Sequence, residues 1–280
     1  MSLPLHLAGR IPAAATRRLL GLILVLLSAS GCTAFLKPSD ASRAASAARA
    51  STELAPHRER LRRAGFLVFA SPHHLDVRLT LTNGQAHLGV TPARFSAGLA
   101  TAFTSDGYLL TASHVLARSN WVIGWCNHRV SVLPARVVTR IKTPELGREF
   151  AVLHVDAVPD FPLELARPDP SDSRIYAIAF DWRNRFQPLP LVGQRRGKPS
   201  RRHGERFSLQ STDLPIWKGD SGGAALTADG QLVGIATAVK ILPTEFRISR
   251  TICLPDPEYL MELVEADRRT APRSATAPPP

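Results

Sequence analysis

The sequence predicts an all-β fold, and three observations carry the prediction. Short apolar runs of strand length recur along the chain between turn residues, the pattern of a barrel or a sandwich. Three Asx-Gly pairs, Asn83-Gly84, Asp106-Gly107 and Asp229-Gly230, sit at the ends of such runs and signal hairpins. Helical periodicity is convincing in one stretch alone, near the C-terminus.

Taken in order, "LDVRLTLTNG" alternates apolar and polar residues up to its turn, as a half-buried strand does. "TAFTSDGYLLTAS" and "AALTADGQLVGIATA" each place two short apolar runs across an Asp-Gly turn. Further strands are predicted at "WVIGWC", "ARVVTRI", "FAVLHVD", "RIYAIAF", "FSLQS" and "FRISRTICL". The helix is "DPEYLMELVEADRR": Asp256 is placed to cap it, Pro257 suits its first turn, and Tyr259, Leu260 and Leu263 share a face.

A chain of 280 residues, 44% of them apolar, can bury one sizeable core or two small ones packed together. At its start, Arg10, Arg17 and Arg18 precede the uncharged run "LLGLILVLLSASG", which ends at Cys32. This run is shorter than the roughly 20 residues of a spanning helix but suits the apolar region of an export signal. The small residues before the cysteine resemble a bacterial lipobox, with Ala29 where leucine is usual. On that resemblance residues 1–31 are a lipoprotein signal peptide, Cys32 carries the lipid, and the protein is anchored in the cell envelope, facing the periplasm. On the same resemblance, Thr33 in place of an aspartate favours delivery to an outer membrane, with the choice between inner and outer membrane left open. Residues 32–64, rich in Ala, Ser and Arg, read as a lipid-anchored flexible tether carrying at most a short basic helix. Residues 65–268 then form the folded domain, and the Pro-rich segment 269–280 is a disordered tail.

The chemistry starts at "WKGDSGG", Trp217 to Gly223. Glycines flanking a serine permit a tight turn that exposes the hydroxyl and aims backbone N–H groups at one point. By itself this is also an ordinary glycine-rich turn, so a base and an acid are needed elsewhere. His114, in "GYLLTASHVL", lies where the chain leaves an apolar run. "TASHVL" resembles the "T-A-A-H" signature around the general base of trypsin-like serine peptidases. "GDSGG" resembles the nucleophile signature of the same family, and the two occur in the family's order.

The resemblance spans about Phe95 to Ile252 and implies two packed antiparallel β-barrels with a catalytic cleft between them, followed by the short C-terminal helix. Ser221 is then the nucleophile and His114 the base, and the N–H groups of Gly219 and Ser221 form the oxyanion hole. The acid normally opens a strand reading "D-(L/I)-A-(L/V)-L"; here "EFAVLHVD" puts Glu149 in that place. A glutamate is one methylene longer but can still accept the His N–H and stabilise the imidazolium. Asp156 is the main rival acid, with Glu145 and Asp160 behind it. Asp220 is expected to be satisfied by local donors, without zymogen activation, as in HtrA-like bacterial peptidases; the PDZ domain that often follows in those has no room here. The family's primary pocket maps to Pro215, Thr237 and Val239, which suits a small or medium apolar substrate residue.

Cys126 and Cys253 remain, as a disulfide or as two buried thiols. Much of the formal charge of +12 falls in "QRRGKPSRRHGERF", read as a solvated basic loop with an anionic membrane surface as second choice. Export argues against nucleic acid as a partner. No cofactor is implied, and His73 and His74 lack further ligands at metal-binding spacing. The reading is an exported, lipid-anchored serine endopeptidase acting on polypeptides. Its competitors are a catalytically inert binding lipoprotein and an esterase using the same triad.

Overall fold

The computed structural model describes residues 38–82, 85–91, 94–143, 147–169, 171–181, 187–242 and 247–270. Helices α1 (Asp40–Glu53) and α2 (Arg58–Ala64) come first. Strands β1 (Gly65–Ser71), β2 (Asp76–Thr82), β3 (Gln85–Thr91), β4 (Ser96–Ala102), β5 (Tyr108–Thr111), β6 (Ser119–Cys126), β7 (Arg129–Pro134), β8 (Arg136–Lys142) and β9 (Glu149–His154) make up the first half. The second half holds β10 (Arg174–Asp181), β11 (Gln187–Ser200), β12 (Phe207–Thr212), β13 (Ala224–Leu226), β14 (Leu232–Leu242), β15 (Arg247–Pro255) and helix α3 (Pro257–Thr270).

The fold is mostly antiparallel sheet, as predicted, with one asymmetry. Strands β10-β11-β12-β15-β14-β13 close into a six-stranded barrel, whereas β7-β6-β1-β4-β5-β9-β8 form a seven-stranded sheet that stays open as a half-barrel. The pair β2–β3 is a separate hairpin whose Asn83-Gly84 turn lies outside the described residues. It covers one face of β1: Leu67 and Phe69 pack with Leu75 and Val77, while Phe66 and Val68 on the other face join the main core. Burial on both faces explains why "GFLVFAS" lacks the alternation that marks a half-buried strand.

Three boundaries differ from the sequence reading. The described part of segment 32–64 is not a flexible tether but two helices. Ser39 caps α1 by accepting from Ser42 N at 3.0 Å, and Ala47, Ala50 and Leu54 bury the face that meets β11. Alanine's small side chain lets the helix lie close to the barrel, and an Ala-, Ser- and Arg-rich composition hid that stripe. The basic stretch is a loop only in part, because its first half continues β11 to Ser200; Arg196 pairs there with Asp213 at 2.6 Å. At the other end α3 runs to Thr270, two residues past the expected boundary. The signal segment, Cys32 and residues 271–280 lie outside the described residues.

Helix α3 begins as predicted, with Pro257 in its first turn and Leu260 and Val264 buried. Asp256 contributes its carbonyl to Leu260 N at 3.0 Å, but its side chain faces Arg206 and Arg167 instead of capping. Cys126 and Cys253 are free, buried thiols, so the open choice falls against a disulfide.

Candidate active site

His114 is carried on a single 3-10 turn, Ser113–Val115, immediately after β5. Two residues from neighbouring elements hold that turn. Arg140 on β8 donates to Ser113 O at 2.9 Å and Leu116 O at 3.3 Å, and Ser96 at the start of β4 donates to Val115 O at 2.8 Å. The imidazole is left at the surface, 40% exposed.

Glu149 opens β9, where pairing with Lys142 of β8 fixes its position. Its side chain is 5% exposed, and Oε1 lies 2.6 Å from His114 Nδ1. A charge-assisted contact this short fixes which ring nitrogen carries the proton: Nδ1 donates to the carboxylate and Nε2 is free to accept. The other oxygen, Oε2, is buried and has no hydrogen-bond partner among the described residues. Arg148 precedes it, buried beneath the Phe207 ring, and pairs with Glu205 and donates to Ser200 Oγ at 2.8 Å. That arginine stitches the start of β9 to the closed barrel.

Two of the rival acids, Asp156 and Asp160, do not reach the histidine. Asp156 lies at the far end of β9, 77% exposed and 3.5 Å from His154. Asp160 accepts from His128 N at 2.7 Å and pairs with Arg63, and Glu145 lies outside the described residues.

The nucleophile loop packs on the same region from the closed barrel. Leu99 N of β4 donates to Ser221 O at 2.8 Å, and Gly222 N donates to Ala236 O of β14 at 2.7 Å. A Cβ on Gly98 would lie 2.7 Å from Val115 and 2.8 Å from Ser221 O, and one on Gly222 would lie 1.9 Å from Leu99 O. The loop bearing Ser221 and the turn bearing His114 thus converge on β4 at a closeness only glycine permits. No hydrogen bond joins His114 to Ser221 among the described residues; such contacts often tighten only in the substrate complex. Gly219 has φ +94, and neither its N–H nor that of Ser221 has a partner among the described residues.

Of the predicted pocket residues, Pro215 and Thr237 are both buried, which leaves them little surface to offer a substrate. Pro215 O accepts from Arg43 at 2.8 Å, and the Thr237 hydroxyl donates to Gly147 O at 2.9 Å. The side chain of Val239 lies outside the described residues. Sequence reasoning missed Arg250 of β15, half-buried with Nε 3.1 Å from Ile216 O, where burial holds the guanidinium below its ordinary pKa. It missed Arg43 and Arg140 as well, because nothing local marks an arginine whose partner is remote in sequence.

Comparison with known proteins bears on the fold. The family model of the trypsin-like peptidase domain matches residues 98–235. The fold is similar to the serine endoprotease from Yersinia pestis, with a TM-score of 0.52 and 21% identity over 76% of this chain and 65% of that one. It is also similar to the HtrA-type protease AlgW crystallised with a decapeptide, with a TM-score of 0.52 and 21% identity over 75% of this chain and 67% of that one. Deg5 gives a TM-score of 0.50 and 14% identity over 76% of this chain and 92% of that one. No curated protein matches the sequence. The class is therefore a trypsin-like fold, shared with HtrA-type serine proteases. Within that class, the match to the trypsin-like peptidase family model falls on the segment that carries His114, Glu149 and Ser221.

Proposed function

We propose that this protein is a serine endopeptidase in which Ser221, His114 and Glu149 form the catalytic triad. The observation that carries the reading is the 2.6 Å contact between His114 Nδ1 and the buried carboxylate of Glu149, in a domain whose nucleophile loop packs against β4, the strand that also holds the His114 turn. Glu149 orients the ring so that Nε2 takes the proton of the Ser221 hydroxyl as Oγ attacks the scissile carbonyl carbon. The N–H groups of Gly219 and Ser221 stabilise the negative charge that develops on the carbonyl oxygen. His114 then gives the proton to the leaving amine, the acyl-enzyme forms, and a water molecule activated by the same histidine hydrolyses it.

The N-terminal sequence supports export and attachment through a lipid on Cys32, so the substrates are envelope polypeptides and the site faces the periplasm. Cleavage of a labelled, unfolded polypeptide by the full chain tests the activity. Wild type releases fragments and Ser221→Ala releases none. Turnover of esters without turnover of amides would make the protein an esterase, and folded protein inert toward both would be the binding lipoprotein.

A further inference from the structure

We infer that Arg43, on the helix that precedes both halves of the fold, is a positioning residue for the oxyanion hole, and that α1 acts as a built-in activator of the site. This rests on the reading of Ser221 as the nucleophile. Asp220, the residue before Ser221, is 2% exposed. Arg43 meets it with two bonds, Nη1 to Oδ2 at 2.7 Å and Nη2 to Oδ1 at 3.0 Å, across 177 residues of sequence. The same guanidinium donates to Pro215 O at 2.8 Å and Phe180 O at 3.4 Å. The carboxylate's other donors are backbone amides, Trp217 N at 2.7 Å and Phe180 N at 3.4 Å. The expectation that local donors satisfy Asp220 thus holds only for Trp217 N; the remote amide of Phe180 and a distant cation that the sequence did not reveal supply the rest.

The consequence follows from the cost of burying charge. A carboxylate out of water is tolerated when a cation and hydrogen bonds compensate it, and is strongly unfavourable when one partner is removed. Without Arg43, Asp220 would gain by turning toward solvent, and its backbone continues directly into Gly219 and Ser221, whose N–H groups form the proposed hole. Gly219, at φ +94, lacks the side chain that would resist such a rotation. Arg43 in turn is held in register by its helix. Ser46, one turn on, donates to Val192 O at 2.8 Å and accepts from Val192 N at 2.9 Å, while Ala47 and Ala50 are buried against the barrel.

The test uses the full chain and measures the second-order rate of fluorophosphonate addition to Ser221 together with kcat and KM on a peptide amide. Arg43→Ala should slow labelling and kcat about 10²- to 10³-fold, the cost of one lost oxyanion-hole donor, with KM changed by less than about threefold. Millimolar guanidinium chloride should restore at least about tenfold of the loss, because the ion re-enters the vacated position beside Asp220; it should do nothing for Ser221→Ala. If Arg43→Ala does not fold, Arg43→Gln keeps the length and helix propensity without the charge, and should show the same kinetic loss. Folded Arg43→Ala or Arg43→Gln that labels at the wild-type rate would overturn this inference and leave the peptidase reading intact. Wild-type protein that takes no label would overturn that reading first.

Discussion

Replacing Glu149 by glutamine removes the charge that faces His114 while keeping the side-chain shape. The carboxylate oxygen lies 2.6 Å from Nδ1, and its side chain is 5% exposed. Centre to centre, the carboxylate and an imidazolium would stand about 4 Å apart, worth about 4 kcal/mol at an effective dielectric constant of about 20. The histidine is 40% exposed, so water screens part of this and about 2–4 kcal/mol remains. At 1.36 kcal/mol per tenfold in rate, kcat should fall about 30- to 1000-fold. The assay is steady-state hydrolysis of a peptide amide, with thermal melting to show that Glu149→Gln is folded. Glu149→Asp keeps the charge but withdraws it by about 1.5 Å, one C–C bond, and should fall between wild type and Gln. A folded Glu149→Gln with unchanged kcat would refute the reasoning and leave His114 without its orienting acid.

Three further outcomes follow from the same contacts. Arg140→Met removes the donors that hold the His114 turn; stability should drop about 1–2 kcal/mol, lowering the melting midpoint by about 2–8 °C, with kcat falling as well. Gly98→Ala forces a methyl against Val115 and Ser221 O; the overpacking should cost about 1–3 kcal/mol on chemical denaturation and slow serine labelling. Burial pushes the Cys126 thiol up to about 11 and raises that of Cys253 too, so neither should react with iodoacetamide in the native protein at pH 8, and both should do so after denaturation.

Much of this architecture was legible where its cause is local. The Asp106-Gly107 and Asp229-Gly230 turns announced two hairpins, and the strands on either side formed where expected. His114 and Glu149 each sit at the end of a strand whose apolar run was visible, so the first half of the site could be assembled from sequence. What was hidden depends on contacts between distant segments. Helix α1 buries alanines and a serine, too little apolar surface to stand out, and its value lies in what Arg43 meets far along the chain. Strand β11 carries three prolines and several basic residues, features that read as loop until β10 and β12 are seen to pair with it. The half-barrel is open, with β7 and β8 at its two edges, and no local pattern in the sequence distinguishes it from the closed barrel.

The most direct test of the central claim is intact-mass analysis of the folded full chain after exposure to a fluorophosphonate, alongside Ser221→Ala and His114→Ala. The account predicts one adduct on wild type that is lost in both variants, because reaction needs a nucleophile, its base and a formed oxyanion hole. Folded wild type without an adduct, or an adduct that persists in Ser221→Ala, would contradict it.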